Sequence, residues 1–433
     1  MDDPLLGAWA AARLRGRITG PPPATRPGVR LLTAEHDKIT FRVRLDDRDE
    51  RRGLLGLAPS VPLDDLEVKH WQECLTAAWR LLVTRHRAAA LLLADVLTCV
   101  VPVEADAGAG GISATSADAF GAVAISRPAD PAGFAVGLLH EAQHSLLNAT
   151  AHLFDLCAEP GERGYSPWRD DPRPESGILH GAYAYLAVTR FWRAEARATG
   201  EPLAIFEFCR WREAVAATAE RLLAGGRLTA AGRRFTGALL DEVRPWVAEE
   251  CEPRITHLAR LANDDHYVRW RIRNMRPDVD SLVAAFQRGD PVGPVRSRLI
   301  TDGRRALSHS PRLVAIHNLL RGGAAVDDAA ELPEGRATLA PTQYRGGGGG
   351  GTRDPIKIES ATAQTRETRA AAVEAALLAG DYGTIPRAYP GKDPDLELTP
   401  LIIAAGVTTR AEEVVALAQV GCEPVRVIRW IAG

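Results

Sequence analysis

Charge of one sign, paired cysteines and long apolar runs are all missing from this chain of 433 residues. Its 53 basic and 55 acidic residues nearly cancel, leaving a net charge of −2. There is therefore no electrostatic footprint for nucleic acid or for an anionic membrane. Lysine is scarce: only Lys38, Lys69, Lys357 and Lys392 are present, so nearly all positive charge is arginine. The six cysteines (Cys74, Cys99, Cys157, Cys209, Cys251 and Cys422) form no CxxC pair. That excludes a zinc ribbon and the disulfide framework of a small secreted domain, and buried, reduced thiols are expected. No run approaches the roughly 20 apolar residues of a membrane span. The segment Met1-Asp-Asp-Pro-Leu-Leu-Gly7 has neither a basic n-region nor an apolar h-region. A cytoplasmic protein without membrane or nucleic-acid partners is the expectation.

What is present is the composition of a globular protein, 46% hydrophobic and 25% charged. A short helix is expected over Leu5–Leu14, then a Pro-rich break at Gly20–Pro23. Ile39-Thr-Phe-Arg-Val-Arg-Leu45 alternates apolar and polar residues, as a half-buried strand does. From Leu66 to Leu97 the period becomes helical, with Trp71, Cys74, Leu75, Ala78, Leu81 and Leu82 on one face. A glycine-containing break at 108–111 leads through Ser113-Ala-Thr-Ser116 to a short strand at Ala122–Ile125; the segment reads equally as a plain connector and as a polar loop or edge strand that helps bind an extended substrate beside a metal. Helices are expected at 176–200, 201–226, 236–247, 252–262 and 278–287. Six glycines, Gly346 to Gly351, mark a flexible linker. Beyond it, helical patterns at 367–379, 398–405 and 410–420 suffice for a small module. The expected organisation is mainly α: a domain over 1–340 with a short β element near its N-terminal side, a linker over 341–366, and a helical module over 367–433.

The strongest local signal is Leu139-His-Glu-Ala-Gln-His144, an HExxH motif in an apolar frame from Phe134 to Leu147. Residues four apart on a helix stand one above the other. His140 and His144 can therefore share one divalent metal, with Glu141 at its edge to handle a proton. A third protein ligand is normally needed. His180 is the best candidate, on a helix with small residues (Gly181, Ala182, Ala184) that permit close packing. Asp171 and Glu175 are carboxylate alternatives. His152 lies about 12 Å along the helix from His144, too far to share the ion. No histidine follows Arg345, so the tail contributes no imidazole.

Between the two helices, Tyr165-Ser-Pro-Trp-Arg-Asp-Asp-Pro-Arg-Pro174 holds Arg169, Arg173, Asp170 and Asp171 in a loop stiffened by proline. One reading is a salt-bridged structural loop. The other is that Arg169 or Arg173 grips a carboxylate ligand bidentately near the metal. A second basic stretch, His266 to Arg276, would need a wider basic surface to contact nucleic acid and otherwise reads as a solvated helix face, with Arg269 or Arg271 as a further candidate carboxylate or peptide contact.

Taken in order, Ser113-Ala-Thr-Ser-Ala-Asp-Ala-Phe-Gly121, Leu139-His-Glu-Ala-Gln-His144, Pro167-Trp-Arg-Asp-Asp-Pro-Arg-Pro174, His180-Gly-Ala-Tyr-Ala184 and Phe191-Trp-Arg193 resemble the HExxH-motif peptide β-hydroxylases of bacterial peptide natural-product clusters. The resemblance covers roughly residues 65–290. It implies a mostly helical domain that binds Fe(II) at His140 and His144, uses 2-oxoglutarate as cosubstrate, and hydroxylates the β-carbon of a residue in a ribosomally made precursor peptide. It also implies partners among peptide-maturation enzymes, and it makes Glu141 an orienting group or a ligand. The rival from the motif alone is a zinc metallopeptidase with Glu141 as general base. An inactive scaffold is a third class, against which the intact histidines stand.

Overall fold

In a computed structural model the chain is described over residues 3–21, 30–105, 111–158, 161, 163–290, 297–300, 310–321 and 398–432. The linker over 341–366 and the helix expected at 367–379 lie outside these residues. The fold is mainly α with a small sheet near the N-terminal side. Two compact units divide the described chain between Ala259 and Arg260.

The first unit is built on five strands in the order β1-β2-β3-β5-β4. β1 (Arg30–His36) and β2 (Ile39–Leu45) form an antiparallel hairpin. Its two-residue turn, Asp37-Lys38, has φ of 46° and 61°, as a turn that follows the right-handed twist of the strands requires. β3 (Cys99–Val103) and β5 (Ala122–Ser126) are parallel neighbours and buried at every position. Such strands read as continuous apolar runs because both sheet faces are covered. β4 (Ser113–Ala114) closes the order, antiparallel to β5.

One sheet face meets α2 (Asp65–Arg85), α3 (Arg87–Val96) and α4 (Pro131–Leu153). Phe41, Val43 and Leu45, the inward half of the alternating strand, pack with Trp71, Trp79, Leu82, Val123, Phe134 and Leu138. The other face takes α1 (Pro4–Leu14), whose Leu5 and Ala8 meet Cys99, Val101, Ala122 and Ala124. Asp3 caps α1 and accepts from Arg44 on β2 at 2.8 Å, pinning the helix to the sheet. The helical period from Leu66 to Leu97 is broken at His86 (φ −132°). The reason is tertiary. The His86 ring stacks on Phe191 at 4.4 Å and bonds Glu195 at 2.8 Å, a position that a continuous helix would not reach.

A helical layer completes the unit: α5 (Glu175–Thr199), α6 (Pro202–Ala224) and α7 (Ala230–Val247). Trp168, Leu186, Phe208, Val215, Leu239 and Val243 share its core. α4 carries one side to the sheet layer and packs along α5 on the other. The HExxH helix is thus buried between two layers.

The unit boundary falls within α8 (Pro253–Asn274). The second unit adds β6 (Met275–Arg276), α9 (Val279–Arg288), β7 (Arg298–Leu299), α10 (Pro311–Leu320), α11 (Thr399–Ala404), α12 (Ala411–Gln419) and α13 (Pro424–Ala432). Val268, Ile272 and Leu282 share one core with Ile402, Val414, Leu417, Val427 and Ile431, so the C-terminal helices are integral to this unit. Among the described residues no helix is long and apolar enough to cross a membrane.

Candidate metal centre

α4 starts at Pro131 in its first turn, and the Asp130 carboxylate accepts from the Gly133 amide at 2.8 Å. Both are standard helix-start chemistry. Gly137 lets the helix approach β5, since a Cβ there would lie 2.9 Å from Ile125 Cδ1. One turn on, His140 and His144 converge, with Nε2 atoms 3.1 Å apart and ring centroids 4.6 Å apart. Two nitrogens at this separation suit an ion bound about 2.1 Å from each. The ligand atoms of His140, Glu141 and His144 all lie within 4.8 Å of one another, and the group can hold a metal ion.

Electrostatics favours the same use. Burial pushes the His140 imidazole down to about 4. His144 is held well below its ordinary value by burial and by His140, His180 and Arg173. Both rings are neutral at physiological pH, the state in which imidazole is a ligand. Glu141 is 1% exposed. Burial pushes its carboxyl up to about 7, against the lowering effect of the Ser113 and Thr115 hydroxyls. Ser113 Oγ donates to Oε1 at 2.6 Å, while Oε2 has no hydrogen-bond partner among the described residues. An orphaned buried carboxylate oxygen beside two neutral imidazoles is costly alone and relieved by a cation. The donor set fits a divalent metal. The His140 side chain keeps 21% of its surface accessible, so the group opens to solvent on one side.

His180, on α5, stacks on His144 with ring centroids 5.9 Å apart and an interplanar angle of 22°. It lies beside the group without joining the tight set. Burial and Arg173 push its imidazole down. Asp171 is fully buried, accepting from Arg169 Nε at 2.8 Å and facing Arg173 Nη1 at 3.4 Å. Both arginines are thus anchored by one carboxylate. Arg173 acts electrostatically on His144 and His180, and Arg169 on Tyr185. Glu175 points elsewhere, toward Arg227 at 3.9 Å. His152 is exposed, two turns past His144. Gly181 is indispensable to the loop: a Cβ there would lie 1.7 Å from Trp168 Nε1.

Two features of the site escape sequence reasoning. Ser113 turns out to hold Glu141, a contact that neither reading of its segment, as a substrate-binding polar loop or as a plain connector, specifies. Tyr185 meets His140 edge-on at 5.2 Å, stacks on Trp168 at 5.0 Å, and lies tilted by 51° against Trp211 at 4.3 Å. Burial pushes its phenol up to about 12. The available signal is charge on an apolar helix: Glu207 and Arg210 are buried on α6, where Trp211 Nε1 donates to Glu207 Oε2 at 2.6 Å and the Arg210 guanidinium lies 4.2 Å from the Trp211 ring centroid.

The basic stretch at 266–276 is engaged inside the second unit. Arg271 donates twice to Glu412, at 2.8 and 2.5 Å. Arg269 lies 3.9 Å from Asp265, and Arg276 donates to the Ile272 carbonyl at 2.9 Å. All six cysteines are free thiols. Comparison with protein-family models finds no match for this chain, and comparison with curated proteins finds none.

Proposed function

We propose that this chain is an Fe(II)- and 2-oxoglutarate-dependent oxygenase that hydroxylates the β-carbon of a residue in a ribosomally made precursor peptide. The observation that carries the reading is a cation beside the imidazoles. Arg173 acts on both His144 and His180, and Arg169 is fixed to the same buried Asp171. A dicarboxylic cosubstrate needs such a grip, and a peptidase using metal-bound water has less need of one. The ordered motifs from Ser113 to Arg193 support it independently.

His140 and His144 would hold the metal, with His180 as the third ligand. Iron(II) with bound 2-oxoglutarate supplies oxygen activation coupled to decarboxylation of the keto acid. The chain's own residues do the rest. Burial keeps the imidazoles neutral. Ser113 fixes the rotamer of Glu141, which orients the group. Asp171 holds Arg169 and Arg173 for the distal carboxylate, and the wall of Tyr185, Trp168 and Trp211 excludes water. Precursor peptide and other maturation enzymes are the partners this implies.

One observation favours a second reading, a zinc metallopeptidase. The free Oε2 of Glu141, on a carboxyl raised to about 7, suits a general base. Succinate formation separates the two. Aerobic incubation with Fe(II) and 2-oxoglutarate should yield succinate in wild type and none in His144→Ala. Peptide cleavage by the zinc-loaded protein without succinate would instead establish the peptidase.

A further inference from the structure

β4 is the last strand in the order β1-β2-β3-β5-β4, and among the described residues no strand lies on its outer side. Its register fixes which main-chain groups face outward. Ser113 pairs with Ile125 and Ala114 with Ala124. Ile112 accepts from the Ser126 amide at 2.9 Å and gives its own amide to Ser126 Oγ at 3.0 Å, so its main-chain groups face β5. Peptide groups alternate sides along an antiparallel strand. The N–H and C=O of Ser113 therefore face the open side.

The same residue touches the metal group. Ser113 Oγ donates to Glu141 Oε1 at 2.6 Å, so its side chain points to the face of the sheet where His140 and His144 sit. Residues directly opposite each other on neighbouring strands put their side chains on one face. Edge strands are commonly blunted by lysine, proline or other charges. Residues 111–117 contain none of these, and Ser113 and Ala114 are partly exposed.

We infer that the open edge of β4 binds the substrate peptide as an added strand through the main chain of Ser113, and that the substrate residue opposite Ser113 presents its Cβ to the His140–Glu141–His144 group. This rests on the reading of the chain as a peptide-modifying enzyme and adds how the peptide is held. Main-chain pairing gives affinity with little demand on sequence, and the residue facing the metal is selected by register.

The full-length chain is tested with a pool of mixed-sequence synthetic decapeptides carrying a benzophenone side chain. A matched pool is N-methylated at every peptide bond, which removes the donors a strand needs. After irradiation, labelled residues are mapped by mass spectrometry. The expected result is labelling within residues 111–116, reduced about tenfold or more with the methylated pool. Ser113→Pro should weaken labelling beyond Ser113→Ala. The first substitution removes the outward amide and the hydroxyl, the second only the hydroxyl, and proline is tolerated where an edge amide faces outward. Equal labelling by both pools, labelling confined to other segments, or no labelling would overturn the proposal. Because the readout needs neither metal nor turnover, labelling without succinate formation would sink only the hydroxylase reading. Succinate formation without labelling would sink only the docking edge.

Discussion

At the scale of single residues, the site divides into groups that bind and groups that hold those in place. His140→Ala or His144→Ala removes one of two nitrogens 3.1 Å apart, so tight iron or zinc binding should be lost in either. Equilibrium dialysis checks this, and full metal occupancy in a folded variant would refute the assignment. On the proposed reading, Arg173→Ala and Arg169→Ala each remove a charge-assisted hydrogen bond to the cosubstrate carboxylate, worth about 1.5–3 kcal/mol. The 2-oxoglutarate concentration for half-maximal succinate formation should rise by about tenfold or more. An unchanged requirement in both would move the clamp elsewhere. Gly181→Ala should be destabilising by about 1–3 kcal/mol or more through overpacking on Trp168, read as a lowered urea midpoint. Wild-type stability would contradict the packing described.

Elements differ in how plainly the sequence announces them. Helices with one apolar stripe, such as α2 and α7, and the alternating strand β2 are legible because each local period matches what is buried. The short strands β3 and β4 are not. β3 is apolar at every position and so carries no period, while β4 is two residues whose pairing depends on β5, reached only through the turn at Gly121. The break at His86 was hidden for a related reason, since Phe191 and Glu195 are about a hundred residues away in sequence. The centre of α4 is legible because HExxH in its apolar frame from Phe134 to Leu147 is a local pattern, while its ends at Pro131 and Leu153 are not. The Ser113 contact to Glu141 spans two elements, and no local pattern encodes it.

The attachment of α1 makes a further prediction at this scale. Burial pushes the Asp3 and Asp49 carboxyls up, but hydrogen bonds and charge from Arg44 and Arg51 outweigh it and leave both below their ordinary value of 3.8. A carboxyl lowered in the folded state adds stability above that ordinary value and loses it as pH falls through the lowered one. The melting temperature should therefore drop below about pH 4, and less steeply in Asp49→Asn. An identical acid slope in that variant would show that the pair contributes nothing.

At the scale of the whole molecule, the two compact units carry different duties. The sheet and α4–α5 hold the metal group, whereas the second unit buries its charges internally, with Arg271 on Glu412. Truncation before Leu398 removes ten of the thirteen buried residues of the second core, leaving only Val268, Ile272 and Leu282. That unit should lose its protection from amide exchange while metal binding at His140 and His144 persists. Loss of the metal from a truncated chain would show that the units are not separable in this way.

The central claim, a keto acid on iron at the HExxH helix, is tested most directly by anaerobic addition of Fe(II) and then 2-oxoglutarate to the intact chain. A visible metal-to-ligand charge-transfer band that is absent in His144→Ala is the predicted result. No band, together with tight zinc retention and cleavage of a peptide library, would contradict it.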